Sequence, residues 1–126
     1  MKFPIERFGQ FCSELWIDSK EDGQIQLAPE RMLSTQRYFV QQIADGLEQG
    51  IHFFVILKGR QEGITTISSA LDLFWHYEHH GMQGTFAAHN EEARDKFRAT
   101  LTMYHEGLPR SHRVSLVQNN RYFLSF

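Results

Sequence analysis

The stretch IHFFVILKGRQEGITT, Ile51 to Thr66, decides how the chain is read. Its first seven residues, Ile51 to Leu57, form an almost continuous apolar run rich in β-branched and aromatic side chains. That composition is expected of a strand buried on both faces, which belongs in the middle of a parallel sheet covered by helices. The loop KGRQEGITT, Lys58 to Thr66, follows. A helix is expected from about Ile64 to His80, with Ile67, Leu71, Phe74 and Trp75 on one side and Gly81 closing it.

Upstream, Pro29 begins a helical pattern in which Met32, Leu33, Phe39, Val40, Ile43 and Leu47 recur at helical spacings. Gly46 and Gly50 punctuate its end. Residues 1–28 read as an irregular segment, with DSKEDGQ at Asp18–Gln24 as a turn or loop and one helical turn around Phe8 and Phe11. Downstream, GTFAAH (Gly84 to His89) reads as a second short strand. Asn90 is a good N-cap for a helix reaching about Tyr104, with Glu91 and Glu92 in its first turn. GLP at Gly107–Pro109 ends that helix, and RVSLVQNNRYFLSF reads as a hairpin around Asn119-Asn120. Strand–helix alternation implies an α/β fold with a parallel sheet and right-handed crossovers.

Length and composition bound the function. The 126 residues make room for one modest domain, and 41% hydrophobic with 22% charged residues argues against wholesale disorder. Thirteen Lys+Arg against 15 Asp+Glu leave a formal charge of -2, which argues against a polybasic nucleic-acid tail. A single cysteine, Cys12, excludes an internal disulfide framework and fits a reducing compartment. No apolar run approaches the roughly 18 residues of a membrane span. The start MKFPIERFGQ has no apolar signal core, so a cytoplasmic location is expected.

Strand, glycine-containing loop and helix start together make an anion site, because loop and first-turn N–H groups lack intrahelical partners and the macrodipole favours negative charge. The usual phosphate loop reads G-x-x-x-x-G-K-[ST]. With Gly63 as its second glycine, Thr65 takes the Mg²⁺-binding hydroxyl position, Ile64 falls at the lysine, and Lys58 falls at the first glycine. A four-carbon stem at Lys58 can reach across the loop to the β- and γ-phosphate oxygens, and Arg60 adds a second cation. Backbone N–H groups from Gly59 to Gly63 complete the cradle.

The segment FVILKGRQEGITT resembles the variant Walker A loop of the large terminase subunits, the ATP-driven DNA-packaging motors of tailed bacteriophages. There the loop reads K-x-R-Q-x-G-x-[ST], a pattern filled by Lys58, Arg60, Gln61, Gly63 and Thr65, with Thr66 following. The likeness covers roughly residues 29–126, and only the loop is a sharp motif. It implies a partial three-layer sheet of the P-loop NTPase kind with a C-terminal hairpin, and ATP and Mg²⁺ as cofactors. Gly59, Gln61, Glu62, Ile64 and Thr66 would join Lys58, Arg60, Gly63 and Thr65 around the nucleotide. Gln36, in LSTQRYF, is the adenine-contacting candidate, with a solvent-exposed helix residue as the equal alternative. Arg60 is the candidate cis arginine finger. Phage DNA, the small terminase subunit and the portal protein are the partners implied, in a bacterial host cell.

A Walker B strand running into an acidic pair is missing, as are the coupling motif and nuclease domain of that family. Asp72, in SALDLF, is the one acidic residue after the loop with apolar neighbours on both sides, and it lies in the following helix. The chain reads as the first part of an ATPase domain with little hydrolysis alone, since no residue is placed to orient the attacking water. An incomplete sheet would leave an edge and an apolar face uncovered, inviting self-association. The alternatives are an ordinary strand–turn–helix connection in a non-catalytic prophage remnant or interaction module, and a piece of another P-loop NTPase. His76, His79 and His80 share a helix end but lack a completing cysteine, so they read as a solvated terminus. The 17 Phe, Tyr and Trp residues fall mostly at core-facing positions, and Arg94, Lys96 and Arg98 sit among acidic neighbours.

Overall fold

Helix α3, Ile64–Glu78, is the element on which the others assemble. Its buried residues Ile64, Ile67, Ser69, Ala70, Leu73 and Phe74 cover more than half of the helix circumference, because three other helices pack around it. The computed structural model describes residues 3–19, 23–57, 63–79, 84–85, 87–112, 118–119 and 124–125. Helix α1 spans Ile5–Ser13, α2 Ser34–Glu48 and α4 Glu91–Gly107. Two small antiparallel ribbons complete the set. One pairs β1, Trp16–Ser19, with β2, Gly23–Gln26, and the other pairs β3, Gln118–Asn119, with β4, Leu124–Ser125.

The amino-terminal 28 residues are more regular than their composition suggests. Phe8 and Cys12, one turn apart on α1, are buried, and the chain then enters the β1–β2 hairpin with Trp16 opposite Gln26. Phe3, Phe8 and Phe11 all meet the ring of Phe74 on α3, with centroids 6.2, 5.2 and 5.5 Å away. Burying each such ring contributes about 1.5–3 kcal/mol, so this segment belongs to the main core.

Helix α2 begins at Ser34, five residues after the expected start at Pro29, because Pro29–Arg31 forms its own 3-10 turn and Leu33 is the exposed N-cap; from there it buries Phe39, Val40, Ile43, Ala44 and Leu47 as the pattern predicts. Its carboxyl end closes in a Schellman arrangement: Ile51 N–H donates to the Gly46 carbonyl at 2.8 Å and Gly50 N–H to the Leu47 carbonyl at 3.1 Å. Gly50 takes φ +83° there, a left-handed conformation that glycine adopts without a Cβ penalty. Gly46 is needed for a different reason, since a Cβ on it would lie 2.5 Å from Phe54 Cε1. Helix α4 starts where expected, with Asn90 Oδ1 accepting the Ala93 N–H at 2.8 Å.

The partial parallel sheet of the P-loop kind is overturned. Among the described residues there is no parallel strand pair, and the architecture is mainly helical. Residues 51–57 are not a buried strand: Phe53 is 93% exposed, Val55 101% and Leu57 101%. Nor do residues 84–85 and 87–89 form the second strand, being exposed and unpaired among the described residues. The cause is physical. An apolar, β-prone run marks a segment that gains from being covered, whereas a central strand also needs a neighbour on each edge. The described residues supply neither neighbour. The carboxyl-terminal ribbon does form, but its register pairs Asn119 with Leu124, so Asn119 lies in the ladder and not in a two-residue turn with Asn120.

Candidate functional site

Two candidate residues 27 positions apart meet at the amino end of α3. Gln36, on the first turn of α2, is buried at 4% exposure. Its Oε1 accepts the Leu33 N–H at 2.9 Å, and its Nε2 donates to the Gly63 carbonyl at 3.0 Å. Leu33 occupies the N-cap of α2 and has no side-chain acceptor, so Gln36 reaches back and satisfies the cap N–H itself. One side chain therefore closes the start of α2 and fixes the residue that opens α3.

Gly63 adopts φ +73° and ψ +11° as the N-cap of α3. Its carbonyl also accepts the Ile67 N–H at 3.1 Å, beginning the helical ladder. A Cβ at Gly63 would stand 2.5 Å from Gln36 Nε2. Both the left-handed backbone and the close approach of the amide explain glycine at this position. Among the described residues no side chain caps α3, so the N–H groups of Ile64, Thr65 and Thr66 are left without an acceptor.

The candidate residues divide accordingly. Ile64 is buried, Thr65 is exposed at the helix start, and Thr66 is half-buried with its carbonyl accepting the Tyr104 hydroxyl at 3.3 Å. The Thr65 carbonyl accepts the Ser69 hydroxyl at 2.7 Å. Lys58, Gly59, Arg60, Gln61 and Glu62 lie outside the described residues. Gln36 is neither solvent-exposed nor free, because both ends of its amide are engaged by the backbone.

A cleft of about 530 Å³ adjoins this point, lined by Thr35, Phe39, Ile43, Gly46, Phe54 and Ile64 among others. It runs between α2 and residues 51–57, and Ile64 connects it to the start of α3.

At the far end of α3, His76 Nδ1 donates to the Asp72 carbonyl at 2.8 Å and lies 3.7 Å from its carboxylate. Burial pushes the Asp72 carboxyl above its ordinary range, and His76 partly offsets this. His79 packs its ring on Trp75, centroids 4.5 Å apart, while His80 lies outside the described residues. Among the described residues no three His, Cys, Asp or Glu side chains converge as metal ligands. Nor is any described helix long and apolar enough to cross a membrane.

Sequence reasoning missed a buried polar seam between α3 and α4. The Tyr77 hydroxyl bonds to Nδ1 of His105, a histidine 3% exposed, and the Tyr104 hydroxyl reaches α3 through Thr66. Burial raises the ionisation of Tyr104 and of the Cys12 thiol well above their ordinary ranges. The readable signal was the placement of Tyr104 and His105 three and four residues after the core residue Leu101.

Comparison of the chain with protein-family models, with curated proteins and with solved structures found no match.

Proposed function

We propose that residues 58–66 bind the phosphates of ATP together with Mg²⁺, and that the chain is the ATP-binding part of a DNA-packaging motor of the terminase large-subunit kind. The observation that carries this reading is the amino end of α3. Three first-turn N–H groups are without acceptors among the described residues, the Thr65 side chain is exposed, and Gln36 anchors the glycine that opens the helix. A phosphate chain with its own cation suits that donor set, because the N–H groups and the helix dipole favour anionic oxygen while a hydroxyl ligates the hard cation. Lys58 and Arg60, just before the helix in sequence, supply positive charge. In this version the anion rests on a helix end rather than on a sheet, and Gln36 positions Gly63 instead of touching a base.

Hydrolysis by this chain is negligible, because no described carboxylate stands at the α3 start to orient a water. In the complete motor the partners would be DNA, the small terminase subunit and the portal protein, in the cytoplasm of a bacterial host. The test is titration with a fluorescent ATP analogue, with and without Mg²⁺. Lys58→Ala is expected to weaken binding at least tenfold, and Thr65→Ala to abolish the Mg²⁺ dependence. Absence of binding at millimolar nucleotide, or equal affinity in both variants, sinks the reading.

A second reading, a non-catalytic interaction module, is favoured by one observation: the apolar residues Phe53, Val55 and Leu57 project into solvent.

A further inference from the structure

We draw no further inference here: the strongest candidate, the apolar cleft between α2 and residues 51–57 lined by Phe39, Ile43, Phe54 and Ile64, is an unpartnered apolar face, and nothing in the structure shows what covers it.

Discussion

Gln36 and Gly63 make a double-mutant cycle with an outcome set by geometry. Gln36→Ala removes two hydrogen bonds, to the Leu33 N–H and the Gly63 carbonyl, from a side chain that is nearly fully buried. At about 0.5–1.5 kcal/mol per bond, with the Leu33 N–H left unsatisfied, the expected loss is about 2–3 kcal/mol. Gly63→Ala forces a Cβ onto a backbone at φ +73°, which costs about 1–2 kcal/mol. It also places that Cβ 2.5 Å from Gln36 Nε2 and 3.0 Å from Cδ, which displaces the amide and breaks its bond to Gly63 for about 1 kcal/mol more. In the double variant the clash and the second bond loss vanish while the backbone cost remains. The pair should therefore be about 1 kcal/mol less destabilised than the sum of the singles. Urea unfolding followed by circular dichroism measures this, with m-values unchanged across the four proteins. Additivity within about 0.5 kcal/mol would refute the contact between α2 and the α3 start.

Two further outcomes follow from the half-buried Asp72 and the fully buried Cys12. The Asp72 carboxyl is raised by burial, so the folded state holds its proton more tightly than the unfolded chain. The associated stability is present below the ordinary carboxylate pKa and is lost as pH rises through the folded value. Asp72→Asn should accordingly raise the urea midpoint at pH 7 relative to pH 3, and an equal shift at both pH values would contradict this. Cys12 is fully buried with its thiol pushed up, so a disulfide reagent should label it only as fast as the protein unfolds. Rapid labelling of the native protein would place α1 off the core.

The helices were largely legible. Phe39, Val40, Ile43 and Leu47 on α2, and the Asn90 cap with its acidic first turn on α4, are local patterns, and local patterns survive in a single sequence. Residues 51–57 were misread for the opposite reason. Their composition states a strand's preference correctly, but coverage is decided by other parts of the polypeptide, and no periodicity within seven residues encodes it. Helix α1 was only hinted at by Phe8 and Phe11, since Gly9 and polar residues dilute its apolar face. The sequence picked out Gly63 and Thr65 in the loop and Gln36 on the preceding helix as nucleotide contacts, but not the bond that Gln36 makes to Gly63. What it could not reveal was the direction of the Gln36 amide, which depends on the Leu33 N–H needing an acceptor at a cap without one.

The seam between α3 and α4 has a mechanical consequence. Tyr104 and His105, adjacent in the chain, reach Thr66 and Tyr77, which lie eleven residues apart and so about 16 Å along α3. Two neighbouring side chains of α4 thus tie it to points about three turns apart on α3. Leu101, Tyr104, His105 and Leu108 are buried along this seam, and the half-buried Phe97 packs against the same core. Parting α4 from α3 therefore breaks both bonds and uncovers the core beneath them, so the two helices should exchange their amide protons as one unit.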